Sequence, residues 1–273
     1  MIDSIFTPDG DGRFTPTEHA RGPWDPQALH GGAPAALIAA CLEGVTPGGE
    51  LPFARLTFSF LRPVPMAPLR LKTEIIRPGR RVQELQAELH ADEVLVCRAS
   101  ALRITGTPTD LPTSTGKMLD EPRAATLPGP SEGRPVNFSL DDADYASFAS
   151  TAMEMRFLKG GPLIGEPQQF GPGTVWMRLR RPLLAQTPPS PLARVVASAD
   201  FGNGVSAVLP FDEYVFINAD LAITLERPAR GEWIALEAQT LLHPDGICWS
   251  QSVLHDEYGP IGLATQALVV QRR

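Results

Sequence analysis

The feature that most limits the folds open to this chain is an internal repeat. Leu56-Thr-Phe-Ser-Phe-Leu-Arg-Pro63 and Leu221-Ala-Ile-Thr-Leu-Glu-Arg-Pro228 share one pattern at an offset of 165 positions. In each, large apolar residues alternate with others (Leu56, Phe58, Phe60; Leu221, Ile223, Leu225) before Arg-Pro closes the run. Alternation with a period of two marks a strand with one buried face, and a proline, which has no amide donor, ends it. Leu89-His90 recurs as Leu254-His255 at the same offset, each pair ahead of an acidic turn. Ala101-Leu102 and Ala267-Leu268 match at an offset of 166, which predicts a turn one residue longer in the second copy.

Each copy reads as a strand, a helix, then a run of three or four antiparallel strands, the opening strand of the first copy being a weak one at Gly12–Thr15. Ala35-Ala-Leu-Ile-Ala-Ala-Cys-Leu42 is apolar around its whole circumference, as a helix enclosed on every side must be. Pro34 suits the first turn, and Pro47-Gly48-Gly49 stops the helix. Strands are expected at 52–62, 68–77, 81–90 and 94–104. In the second copy they are expected near 152–158, 173–181, 215–226, 232–242, 246–255 and 261–271, with a helix near 191–201. Residues 1–105 and 150–273 are therefore two units. The stretch 106–149, rich in Pro, Thr, Ser, Gly and Asp, reads as a linker with a short helical turn near Asp141–Ala149. Two such units side by side complete each other's unfinished sheets.

Composition narrows the function classes. With 43% hydrophobic residues and no run approaching the roughly 20 that cross a bilayer, the expectation is a globular protein without a membrane span. Met1-Ile-Asp-Ser-Ile-Phe lacks the basic end and apolar run of a secretory signal. Cys41, Cys97 and Cys248 stand singly in apolar surroundings and read as reduced thiols of a cytoplasmic protein. A net charge of −7 argues against non-specific nucleic-acid binding.

His30-Gly31-Gly32 opening the buried helix, followed by Phe58-Ser-Phe-Leu-Arg-Pro63, resembles the first half of type II acyl-CoA thioesterases. Ala219-Asp220-Leu221 ahead of Arg227-Pro228, and Ala264-Thr265-Gln266-Ala267, resemble the second half. The resemblance spans nearly the whole chain outside the linker. It implies an α+β tandem double hotdog, each half an antiparallel sheet wrapped around a central buried helix. It also implies hydrolysis of fatty or other acyl-CoA to free acid and CoA by an Asp, a Gln and a Ser or Thr. No metal is implied, and no cofactor beyond the coenzyme A of the substrate. Asp and Gln carry over onto Asp220 and Gln266. Counting from Trp233, the hydroxyl position falls at Leu241, with Thr240 one place before and hence on the opposite strand face.

Each candidate has a plainer alternative. Asp220 can take a proton from water, or simply face solvent beside Asn218 and Thr224. Gln266 offers an amide donor and acceptor to a water, or is an outward polar residue of the last strand. Gly31 and Gly32 precede a helix N-terminus, where N–H groups favour an oxyanion, or merely form a tight turn. His30 is a base, or a cap on that helix. Arg77, Arg80 and Arg81 around Gly79 offer guanidinium groups to CoA phosphates, or form a solvated turn. His90 and His255 read as structural residues at strand ends.

A thioester hydrolase using Asp220, Gln266 and Thr240 stands beside a non-catalytic acyl-CoA or acyl-chain binder, which Leu241 favours. A hydratase is a weaker third reading, because no His follows His30 onto the helix. Unpaired sheet edges leave room for a homo-oligomer.

Overall fold

The computed structural model describes residues 3–46, 51–106, 127–136, 146–161 and 169–273. The first copy contains β1 (Phe6–Gly10), β2 (Arg13–Pro16), α1 (Gly32–Glu43), β3 (Phe53–Phe60), β4 (Leu69–Arg77), β5 (Val82–Ala91) and β6 (Val94–Ile104). After β7 (Arg134–Val136), the second copy contains β8 (Met153–Gly161), β9 (Gln169–Leu179), α2 (Pro191–Ala199) and α3 (Gly202–Val205). It continues with β10 (Tyr214–Asn218), β11 (Asp220–Leu225), β12 (Ile234–Leu242), β13 (Ile247–Asp256) and β14 (Gly259–Arg272). The strands form one antiparallel sheet in the order β1-β2-β4-β5-β6-β3-β11-β14-β13-β12-β9-β8-β7, with β10 also on β14.

The two repeated segments meet at the middle of that sheet. β3 and β11 pair with Phe58 opposite Leu221 and Leu56 opposite Ile223. Each pair is the image of the other under the 165-residue offset, so a local two-fold axis passes through the Thr57–Ala222 pair. The register shifts fall at equivalent places too, between Leu89 and His90 and between Leu254 and His255. A shared bulge is a strong sign of one unit used twice, because a bulge re-aims every residue beyond it.

The offset of 166 expected for the last strands does not hold. Leu85 pairs with Ala101, and Ser250 pairs with Gln266, which keeps the offset at 165. The two turns have equal length, and Ala101, not Ser100, stands where the second copy has Gln266.

Two other expectations are revised. The single strand foreseen at 215–226 is broken between β10 and β11, at Ala219, whose N–H donates to the Ala267 carbonyl. Within the stretch read as a linker, β7 pairs with β8, and Trp176 Nε1 donates to the Pro128 carbonyl at 2.8 Å. That part is docked on the second sheet. A π-helical turn spans Phe148–Ala152; residues 141–145 of the expected turn lie outside the described residues.

α1 is buried along most of its length, as its uniform apolarity demands. It lies antiparallel to α2. Its N-terminal Gly31 sits against Asp200 at the end of α2, while Ser190 at the start of α2 bonds Glu43 at the end of α1. The inner sheet faces close over this pair. Burial alternates along β5 (Gln83, Leu85, Ala87, Leu89) and along β13 (Cys248, Ser250, Ser252, Leu254) in the same phase.

Candidate functional site

The polar groups of the second inner face gather at one end of the helix pair, around Asp200. Asp200 caps the C-terminus of α2, a place where the helix dipole disfavours a carboxylate. Its side chain is only 2% exposed. Oδ1 accepts hydrogen bonds from Asn218 Nδ2 at 2.7 Å and Gln266 Nε2 at 3.1 Å. Gln266 Nε2 also donates to the Asp200 carbonyl at 3.0 Å, satisfying an acceptor left open at the helix end. Gln266 Oε1 in turn accepts from Ser250 Oγ at 2.8 Å and from the Asn203 N–H at 3.3 Å. Every polar atom of the buried amide is engaged, so the orientation of Asp200 is fixed from β14, β13, β10 and α3 together.

The other carboxylate oxygen, Oδ2, faces His30 Nδ1 at 3.1 Å. The same nitrogen lies 3.1 Å from the Gly32 N–H. A bare Nδ1 accepts from Gly32 but needs Asp200 protonated to avoid opposing lone pairs; a protonated Nδ1 donates to Asp200 and releases the Gly32 N–H. One proton therefore has two places in this pair, and the helix N–H follows it. The imidazole is held in place by stacking on Phe201 (ring centroids 4.3 Å apart) and by Phe148 at 5.2 Å.

Three glycines let the backbone approach these polar groups. Gly31 has ordinary helical torsions, so the backbone alone admits any residue. What excludes a side chain is Asp200, whose Oδ2 would lie 2.9 Å from a Cβ. A Cβ on Gly32 would meet the Ala197 carbonyl at 2.9 Å, and one on Gly202 would meet Gln266 Oε1 and Ser252 Oγ, each at 2.9 Å. Among the described residues no acceptor engages the Gly31 N–H.

Asp200, His30, Gly31 and Asn218 line a cleft of about 460 Å³ whose walls are largely apolar. Trp24, Phe211 and Phe216 form one wall, in ring contacts of 5.6 and 5.7 Å. Burial, with the Asp200 charge adding, pushes the nearby Cys97 thiol up to about 12, which removes it as a nucleophile. No group of three or more His, Cys, Asp or Glu side chains among the described residues is placed to hold a metal.

The structure thus brings His30, Gly31, Gly32 and Gln266 together, and it separates the other residues singled out from sequence. Asp220 Oδ1 accepts from the Ala267 N–H at 2.6 Å, which pins the carboxylate to the strand backbone; the acid against Gln266 is Asp200. Thr240 is buried on β12, bonded to Ser206 Oγ at 2.7 Å, with β13 standing between it and Gln266's strand. The hydroxyl that reaches Gln266 is that of Ser250. Leu241 is 40% exposed on the outer face.

Arg77 ends β4 and Arg80 and Arg81 lie in the β4–β5 connection, beside Gln83 and Arg103 at the opposite end of the helix pair. They do not line the cleft. Asp200, Asn218, Asn203 and Ser250 were not anticipated. One signal was available: an acid ending an apolar helix and followed by Gly202-Asn203-Gly204 breaks a local rule, as functional sites do.

Two family models match the sequence. The acyl-CoA thioesterase N-terminal domain covers residues 20–104, and the C-terminal domain of the same family covers residues 124–270. No curated protein matches the chain. Among solved structures, a protein of unknown function with a hot dog fold from Alicyclobacillus acidocaldarius is similar at a TM-score of 0.69 and 17% identity, covering 99% of this chain and 97% of that one. An acyl-CoA thioesterase II from Mycobacterium marinum is similar at 0.61 and 15%, covering 98% and 94%. The tesB protein of Mycobacterium avium subsp. paratuberculosis gives 0.61 and 14%, covering 97% and 95%. At these identities the likeness is one of fold, and the fold is the hotdog.

Proposed function

The chain belongs to the acyl-CoA thioesterase family and is a type II-like thioester hydrolase; on that premise we propose that it cleaves acyl-CoA at the Asp200 cleft. The two copies, residues 1–105 and 150–273, act as the halves of a double hotdog, and the site is assembled across their junction. The observation that carries this reading is the Asp200 carboxylate, turned by Gln266 and Asn218 so that Oδ2 is left without an amide donor.

In the proposed reaction Asp200 Oδ2 takes a proton from water as the oxygen attacks the thioester carbonyl carbon. The Gly31 N–H at the start of α1 receives the developing oxyanion, where the helix dipole favours negative charge. With Asp200 ionised to act as base, the proton of the pair sits on His30 Nδ1, so the Gly32 N–H is already released and joins it. Collapse breaks the C–S bond, the thiolate takes the proton and leaves as CoA, and the free acid remains. Gln266 and Asn218 hold Asp200 in place and do not themselves touch the reacting atoms.

Asp200→Asn is expected to lower kcat by about 10²- to 10⁴-fold while acyl-CoA binding is retained. Asp220→Asn should leave turnover near that of the parent. A thiol-release assay on a panel of acyl-CoA esters reads both. Full turnover in Asp200→Asn would remove this carboxylate from the mechanism.

A further inference from the structure

The repeat places Arg62 and Arg227 at equivalent positions, and the structure gives them different surroundings. Both follow the exit of a central strand held by the same bond: the Leu61 N–H donates to the Val96 carbonyl and the Glu226 N–H to the Ile261 carbonyl. Arg227 is locked. Its guanidinium forks onto Asp256, with Nη2 at 2.7 Å from Oδ1, and also bonds the Gly259 and Pro228 carbonyls. Burial pushes the Asp256 carboxyl up, but Arg227 and the N–H groups of Arg230 and Tyr258 outweigh it and leave it below the ordinary range.

In the first copy the residue equivalent to Asp256 is Ala91, since Ala91 pairs with Val94 as Asp256 pairs with Gly259. Arg62 therefore lacks the carboxylate that its twin requires. Among the described residues no hydrogen bond or ion pair engages its guanidinium, which is exposed and lines the cleft. Asp25, the other charged residue on that rim, accepts instead from the Gln27 N–H at 2.8 Å. A second cation stands close by, with the Arg273 guanidinium 5.6 Å above the ring of Trp24 in the cleft wall.

We propose that Arg62, released from its structural role by the alanine at position 91, binds an anionic group of the thioester substrate at the mouth of the Asp200 cleft. The inference rests on the thioesterase reading. The anion comes from one of two sources, the phosphates of CoA or a carboxylate on the acyl group. Arg62 is exposed while Asp200 is buried at the inner end, where it repels a second carboxylate. Both facts favour the phosphates, which remain outside as the thioester carbonyl reaches Asp200. A guanidinium suits them because its fork matches two phosphate oxygens at once.

The test compares Arg62→Gln and Arg62→Glu with the parent on one unbranched acyl group carried by CoA and by pantetheine, which has no phosphate. KM for the CoA ester should rise about tenfold in Arg62→Gln and further in Arg62→Glu, with kcat little changed. KM for the pantetheine ester should not move. With the unbranched acyl group, an equal rise on both carriers overturns the proposal, and so does no rise on any ester, ω-carboxyacyl esters included. A rise confined to ω-carboxyacyl esters on both carriers assigns the anion to the acyl group instead. Should the parent hydrolyse neither ester, the thioesterase reading fails by itself. Calorimetric titration with free CoA then still decides the subsite, because a Kd unaltered in Arg62→Gln refutes it.

Discussion

The helix pair has two ends built to one plan and finished in opposite ways. At each, the acid that closes one helix meets the start of the other: Asp200 meets Gly31, and Glu43 meets Ser190. At the Glu43 end the space is filled by Arg103, fully buried, whose Nη1 donates to Gln83 Oε1 and the Val45 carbonyl, each at 3.0 Å. Its Nη2 donates to the Leu42 carbonyl, and the guanidinium stacks 4.6 Å from the centroid of Phe53. At the Asp200 end no arginine or lysine among the described residues bonds the carboxylate, and Asn218 and Gln266 supply neutral donors beside an open cleft. The same pattern that is sealed by a charge at one end is held by amides and left accessible at the other.

The comparison breaks first at Arg103. Arg103→Ala strips the donors from four acceptors, Gln83 Oε1 and the Leu42, Glu43 and Val45 carbonyls, and the counter-charge from Glu43, and should cost about 3–5 kcal/mol. Chemical unfolding measures it; a loss below 1 kcal/mol would mean that this end is not sealed by the cation. Next comes Gly31→Ala, whose backbone torsions suit alanine but whose Cβ displaces Asp200 Oδ2. Turnover should drop by about 10²-fold with melting temperature nearly unchanged, as expected for a misplaced catalytic group. Unaltered kcat would show that the close approach is idle.

The smallest effect concerns pH. Burial raises the Glu43 carboxyl, against the opposing Ser190 hydrogen bond and the charges of Arg103 and Arg194. A raised carboxyl binds its proton more tightly when folded. Its contribution is complete below the unfolded value of about 4.5 and is lost as pH climbs through the higher folded one. Glu43→Gln should therefore gain stability over the parent at neutral pH, and the gain should vanish near pH 4. A gain independent of pH would place its cause elsewhere.

Much of the architecture was legible because a two-residue period is a strict rule. The alternation in Leu56–Phe60 and Leu221–Leu225 marked the two strands that pair at the centre of the sheet, and Ala35–Leu42 marked the enclosed helix. The site was less legible because its members come from the ends of two helices and from three strands, and periodicity does not tell which helix end meets which strand. Asp220 sits on a strand as its pattern requires, yet its carboxylate turns into the break beside β10 and caps a backbone N–H. Counting 166 instead of 165 put Gln266 level with Ser100 and hid the most telling substitution. The inner face carries Leu85, Ala87 and Ala101 in the first copy and Ser250, Ser252 and Gln266 in the second.

The seam through Thr57 and Ala222 has a consequence for what sequence change can achieve. In a dimer of two identical chains arranged about such an axis, every substitution appears at both ends at once. A glutamine that orients an acid at one end would open an unwanted polar hole at the other. Joined in a single chain, the copies can be altered one at a time. Ala91 against Asp256 and Ala101 against Gln266 are pairs that only a linked duplicate can hold.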